Sequence, residues 1–214
     1  MKLKSWAQTV IILSSPQDLE KTAKFVVRPC PCQNAVLLID SSDFKTTNVC
    51  LDPNRKWKQS HKLKHAGRWW VMVCVFHCLT QWISPPHFPK DYDGDLILLH
   101  AETLDALFPD TTMLGDNHFK KGELHLKKVT LICNKSEGGR PKVINGKKVK
   151  YQLSPHDKKV NDVIAGLQGT VEELYGWIKT KFEALDMSFG EDTDQHDALV
   201  WYALAAHRFV VGNK

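Results

Sequence analysis

The sequence predicts an α/β fold, with five short strands flanked by helices. Two features carry that expectation. Strand candidates, most of them short apolar runs, recur at 35–39, 44–50, 69–79, 111–114 and 129–133. Between and after them lie segments with apolar residues every three or four positions, the longest covering 156–185. At 214 residues and 43% hydrophobic content the chain can bury one good-sized core, so one main domain is expected.

The elements follow in chain order. Residues 6–27 form a mixed lead-in read as helical, with Ser14-Ser15-Pro16 as a start signal. Residues 1–34 are therefore set apart as a helical lead-in, and 35–214 as the main domain. Strands are expected over Ala35–Ile39, around Phe44–Cys50 and over Trp69–Leu79, with a turn at Asp52-Pro53-Asn54, as in an antiparallel meander. Leu96, Leu99, Leu104 and Leu107 set the phase of a helix over 96–108, stopped by Pro109. Thr111–Leu114 is a short strand, 122–128 a short helix and Val129–Cys133 the fifth strand. The Gly- and Lys-rich stretch 134–150 reads as a mobile loop. Over 156–185, Val160, Val163, Ile164, Leu167, Val171, Leu174, Tyr175, Ile178, Phe182 and Leu185 make one apolar stripe. Gly166, Gly169 and Gly176 weaken it and suggest a bend or break.

The formal net charge is +5, a modest excess that permits a polyanionic partner. Its distribution is more telling. Between 134 and 159 stand Lys135, Arg140, Lys142, Lys147, Lys148, Lys150, Lys158 and Lys159 against only Glu137 and Asp157, a basic segment suited to a phosphate backbone. A solvated loop would carry the same charges. No run is long enough for a membrane span, and Val10–Leu13 lacks the cleavage site of a secretory signal, so an intracellular protein is expected. The six cysteines sit in a long, core-rich chain and are read as reduced. Cys74 and Cys78 lie in or beside an apolar run, and Cys30-Pro31-Cys32 has the wrong spacing for a zinc knuckle, so both clusters are read as structural. A zinc-stabilised interaction domain is the alternative those cysteines leave open.

Three carboxylates demand a chemical explanation. Asp40 ends the run Val36–Ile39, Asp116 ends Thr112–Gly115, and Glu172 borders the apolar stripe of the long helix while Glu173 points almost opposite to it. A carboxylate at the end of a buried strand is costly without hydrogen bonds, a charged partner or a cation. Hard oxygen ligands suit Mg2+ or Mn2+, and a pair of such ions can flank a scissile phosphate. Gln168 and Lys179 share the side of Glu172, so Lys179 is a candidate phosphate contact. His118 is two residues from Asp116 and is placed as a phosphate or water contact, with a structural role equally open. Asp43 is read as a solvated or hydrogen-bonded neighbour. Lys62, Lys64, His65 and Arg68, interleaved with Trp57, Trp69 and Trp70, could flank nucleic acid, as could Lys147, Lys148 and Lys150; the tryptophans equally suit a core.

The segments Ile39-Asp40-Ser41-Ser42-Asp43-Phe44, Leu114-Gly115-Asp116-Asn117-His118-Phe119 and 171–182 (VEELYGWIKTKF), together with Leu199–Ala203 and His207, resemble the signature blocks of the DDE superfamily endonucleases. The resemblance is closest to the Harbinger-like transposase branch and spans about residues 36–209. It implies a ribonuclease H-like fold, a mixed five-stranded sheet flanked by helices, with Asp40 on the first strand, Asp116 after the fourth and Glu172 on a late helix. It also implies a transposase core that cuts and joins DNA with two Mg2+ or Mn2+ ions held by these three catalytic carboxylates, working in the nucleus. Three departures stand out. The stretch before the first strand is too short for the helix-turn-helix region such transposases carry, so site recognition would fall to a separate DNA-binding protein or an N-terminal region. Thr170 stands where an Arg is frequent, and a frequent His-Asp pair appears as Tyr92-Asp93. These changes keep open a truncated or domesticated relative, catalytically weak, that acts as a DNA-binding or interaction protein. An oligomer is compatible with either.

Overall fold

The computed structural model describes residues 35–45, 67–75, 79–87, 92–136, 138–144, 147–185 and 193–212. Its centre is a five-stranded sheet in the order β3-β2-β1-β4-β5. The strands are β1 (Ala35–Lys45), β2 (Gly67–Val75), β3 (Thr80–Ile83), β4 (Thr112–Gly115) and β5 (Thr130–Cys133). Antiparallel pairing joins β1, β2 and β3, whereas β4 and β5 run parallel to β1. The sheet is therefore mixed, and the α/β class read from the sequence is the class observed.

Alternation along the strands divides the core into two layers. Trp69, Val71, Val73 and Val75 of β2 join Leu37, Ile39 and Met113 in a cluster with Leu96, Ile97 and Leu104 of helix α1 (Asp93–Leu107). Trp70, Met72 and Cys74 face the other way, with Leu38, Phe44 and Leu114. There they meet Ile164, Val171, Leu174, Tyr175 and Ile178 of helix α2 (Pro155–Lys181), and Val200, Ala203 and Leu204 of helix α3 (Thr193–Gly212). Helices thus cover both faces, the arrangement that the two-sided apolar pattern of β2 requires. Trp69 and Trp70 are core residues, one on each side.

Several boundaries differ from the sequence reading. β1 continues through Asp40–Asp43, because this polar stretch pairs in register with Trp69–Met72; Phe44 and Lys45 belong to it too, and 46–50, the rest of the expected second strand, lie outside the described residues. The run expected as one strand over 69–79 stays in β2 only as far as Val75; β3 begins at Thr80, and Val75 N–H donates to the Leu79 carbonyl at 3.1 Å. Residues 76–78, between the two strands, lie outside the described residues. The segment 134–150 is not one loop: β6 (Gly138–Ile144) and β7 (Lys147–Tyr151) form an antiparallel pair. Asn145-Gly146, between them in the sequence, is the usual signal for a two-residue hairpin link, and it was masked by the lysines around it. The short helix comes earlier than expected, as a 3-10 segment over Asn117–Leu124.

α2 is unbroken for 27 residues despite its three glycines, and a Cβ at Gly166, Gly169 or Gly176 would meet nothing within 4 Å. Its start is well specified. Ser154 accepts the Asp157 N–H at 3.0 Å, Pro155 occupies the first turn, and the Asp157 carboxylate receives Lys135 Nζ at 2.7 Å. The lead-in over 1–34, the turn at 52–54 and Cys30, Cys32, Cys50 and Cys78 lie outside the described residues; Cys74 and Cys133 are buried. Among the described residues, no helix is long and apolar enough to cross a membrane.

Two histidines tie this packing to pH. His87 Nε2 and His100 Nε2 stand 2.8 Å apart, which requires one N–H and one lone pair, so the pair cannot both be protonated without losing the bond. Burial lowers the pKa of His100, and burial also lowers that of His207, whose ring packs edge-on against Trp177. Their neutral forms are favoured in the fold, so stability should be complete above the ordinary value of 6.5 and should fall as acidification charges the unfolded chain first. Urea titrations between pH 7.5 and 5 should show the midpoint dropping, with a shallower drop in His100→Gln and His207→Gln. An unchanged slope in both variants would remove these residues as the cause.

Candidate active site

The parallel pairing of β1 and β4 brings two aspartates together. Leu38 is in register with Leu114 and Ile39 with Gly115, so Asp40 and Asp116 are the next residues of adjacent strands running the same way. Such strands lie about 4.8 Å apart. Asp116 keeps an extended backbone (φ −74°, ψ 175°), so alternation from Leu114 places it on the α2 and α3 face. Alternation from Leu38 places Asp40 on that same face. Close packing explains the residue before Asp116: a Cβ at Gly115 would come within 3.0 Å of Ile39 Cγ2 and 3.4 Å of the Phe119 ring.

Both carboxylates are partly held by backbone donors. Ser41 N–H donates to Asp40 Oδ1 at 2.8 Å, and His118 N–H donates to Asp116 Oδ1 at 2.8 Å. The second contact makes Asp116 the cap of the 3-10 segment. Both aspartates are half-buried. For Tyr175 of α2, burial first, and then the charges of Asp40, Cys74 and Asp93, push the phenol well above its ordinary pKa, and among the described residues its hydroxyl has no hydrogen-bond partner. The phenol therefore stays protonated and adds no charge near Asp40. The Cys133 thiol at the end of β5 is likewise held neutral, by burial and then by Glu123 and Asp116.

Glu172 lies on α2, one turn before Tyr175, and is exposed; so is Glu173. Exposure alone does not separate the two, but helix phase does. Val171, Leu174, Tyr175 and Ile178 define the buried side, from which Glu172 is turned by roughly 100° and Glu173 by about twice that. The flank of Glu172 is the one that addresses the carboxyl ends of the parallel strands. Near its start Asn161 brackets Lys135, just past β5, donating to its carbonyl and accepting its N–H. Toward its end Lys179 Nζ lies 3.1 Å from Ser42 Oγ on β1 and 5.2 Å from the centre of the Phe44 ring. Glu172 falls between these contacts. Among the described residues no three His, Cys, Asp or Glu side chains form a ready-made metal cluster. The donor chemistry fits a hard divalent cation all the same, with two carboxylates at adjacent strand ends and a third on the helix that faces them.

The remaining candidates are scattered. His118 is exposed beside Asp116, in an open groove of about 580 Å³ with Tyr92, Asn117, Lys120, Lys121 and Leu124. Arg68 is not displayed to solvent as a phosphate contact would be: its guanidinium pairs with Asp197 of α3 at 3.1 Å, because it projects into the layer between β2 and α3. Lys62, Lys64 and His65 lie outside the described residues, and Lys147, Lys148 and Lys150 fall on β7. Asp43 is buried at 4% exposure, not solvated.

Three residues of this region gave little sequence signal. Tyr175 reads as one more apolar stripe position, Ser41 as a polar neighbour of Asp40, and Asp93 as the remnant of a pair whose histidine is absent. Yet Ser41 Oγ donates to the buried Asp93 carboxylate at 2.5 Å, across 52 positions of sequence. Only the approach of the start of α1 to β1 makes that contact.

No curated protein matches this chain, and no solved structure matches it. A family model does, that of the DDE superfamily endonuclease, over residues 93–208. The match covers more than half of the chain and takes in Asp116, Glu172 and the helices that pack on the Asp40 face. The mixed sheet with helices on both faces is consistent with the ribonuclease H-like fold that this family implies. The chain belongs to the DDE superfamily endonuclease family.

Proposed function

We propose that residues 35–214 form a metal-dependent DNA endonuclease and transposase core in which Asp40, Asp116 and Glu172 bind Mg2+ or Mn2+, two ions in the full site. The observation that supports this reading best is the adjacency of Asp40 and Asp116 on one face of neighbouring parallel strands, beneath the helix that carries Glu172. Two anionic side chains brought side by side at the ends of buried strands repel each other, and a shared cation would remove that cost. When bound, the ions supply Lewis-acid activation of an attacking water or 3′-hydroxyl and stabilisation of the leaving oxygen.

The chain's own residues do the rest. The backbone N–H groups of Ser41 and His118 hold one oxygen of each aspartate and so orient the carboxylates toward the cation. Lys179, beside Ser42 at the rim, offers a positive charge to a DNA phosphate. The neutral Tyr175 phenol can donate to Asp40 without adding a third charge to the site. The basic segment with β6 and β7 adds phosphate attraction without sequence reading, so site recognition falls to a further DNA-binding element; the family resemblance suggests the nucleus as the place of work.

Cleavage of supercoiled DNA in Mn2+ tests the reading. Glu172→Gln should abolish strand cleavage while leaving DNA affinity within about twofold, because one ligand is lost but the basic surface stays. Glu173→Gln removes the same charge one position away and should leave the rate nearly unchanged. Equal loss in both variants would mean a general electrostatic effect and would remove Glu172 as a ligand. DNA binding by the unaltered chain with no cleavage under any divalent metal would instead identify an inactive relative.

A further inference from the structure

We propose that Asp93 is a positioning residue for Asp40, acting through Ser41, an inference that rests on the metal-binding role assigned to Asp40 above. The three residues form one chain of contacts. Asp93 Oδ1 accepts Ser41 Oγ at 2.5 Å, and the Ser41 N–H in turn donates to Asp40 Oδ1 at 2.8 Å. Because alternate residues of β1 face opposite ways, Ser41 is anchored on the α1 side of the sheet while Asp40 lies on the α2 side. Asp93 thus grips the strand from behind. A peptide unit pinned on both sides has little freedom to twist, so the Ser41 N–H presents a fixed donor and Asp40 a fixed carboxylate.

The cost of Asp93 argues that this grip matters. It is 7% exposed, and a buried carboxylate is unfavourable unless well bonded. Its place in the first turn of α1 offsets part of that cost through the helix dipole, and the short bond from Ser41 offsets more. Asp93 holds Ser41 from the α1 side of the sheet, opposite the side of Asp40, and its effect is therefore on the orientation of a ligand.

The test is Mn2+ binding by isothermal titration calorimetry on the full chain, with thermal melts as a check on folding. Asp93→Ala and Ser41→Ala should each weaken Mn2+ binding by about 10- to 100-fold, the usual effect of removing a group that orients a metal ligand. The double variant should be no worse than either single one, since both break the same link. Asp93→Asn keeps an acceptor for Ser41 Oγ and should restore most of the affinity. If Asp93→Ala does not fold, Ser41→Ala decides, because it leaves the buried backbone in place. Wild-type Mn2+ affinity in the alanine variants, where Asp40→Asn has lost it, would overturn the positioning role alone. Equal weakening in Asp93→Asn and Asp93→Ala would also overturn it, pointing to charge instead of orientation. Wild-type affinity in Asp40→Asn would overturn the metal-site reading itself.

Discussion

Asp40→Asn and Asp116→Asn should each reduce metal-dependent DNA cleavage by about a thousandfold or more, with the fold intact. A metal ion contributes several kcal/mol of transition-state stabilisation, and about 1.4 kcal/mol corresponds to a factor of ten in rate. Losing one anionic ligand from a site built on two adjacent aspartates removes most of that contribution. Asn keeps the carbonyl oxygen that accepts the Ser41 or His118 N–H, so neither the strand end nor the 3-10 segment should be disturbed. The two losses should not multiply in the double variant, because either one alone empties the site. Single-turnover cleavage with Mn2+ measures the effect, and circular dichroism checks the fold. Cleavage within about tenfold of wild type for either variant would place the chemistry elsewhere.

The largest effect on stability is expected from Asp105, which has no part in the proposed site. Its carboxylate accepts the N–H groups of Lys127 at 2.8 Å, Lys128 at 2.8 Å and Val129 at 2.9 Å, tying the end of α1 to the segment that enters β5. Burial alone would raise its pKa, but the three N–H donors and the charge of Lys128 outweigh burial and hold it below the ordinary 3.8. Asp105→Ala should destabilise the protein by about 3 kcal/mol, since it breaks bonds to a charged acceptor and leaves the buried Val129 N–H without a partner. Asp105→Asn should lose less, because one oxygen can still receive Lys128 and Val129 while its amide opposes the Lys127 N–H. The sign of the pH dependence follows from the lowered pKa. The contribution is present above the unfolded value and is lost as pH falls through the folded one, in a window below that of the histidines. Chemical denaturation of both variants at pH 7 and at about pH 3, below the unfolded value, measures this. A wild-type midpoint for Asp105→Ala would show that water replaces the three bonds without cost.

The class of fold, the long helix and the family were legible in the residues because each rests on local periodicity or on short blocks of sequence. Val171, Leu174, Tyr175 and Ile178 recur at helical spacing whatever they pack against, and Asp40 and Asp116 announce themselves by ending apolar runs. Errors arose where pairing overrode pattern. The polar stretch Ser41–Asp43 reads as the end of a strand, but it continues β1 because β2 supplies a partner for every residue of it. The apolar stretch 69–79 reads as one strand, but β2 ends at Val75, and the next strand, Thr80–Ile83, pairs back on it antiparallel.

By itself, then, the sequence determined which residues are apolar and at what period, and hence the helices, most of the strands and the residue types available for metal chemistry. Tertiary structure alone decided which of those residues meet. The parallel register of β1 and β4 sets Asp40 beside Asp116 across 76 positions. The approach of α1 delivers Asp93 to Ser41, and the packing of α3 on β2 commits Arg68 to Asp197. The physical reason is that periodicity is a property of neighbours along the chain, whereas strand order and register depend on how two distant surfaces fit, and no short window of residues contains both surfaces.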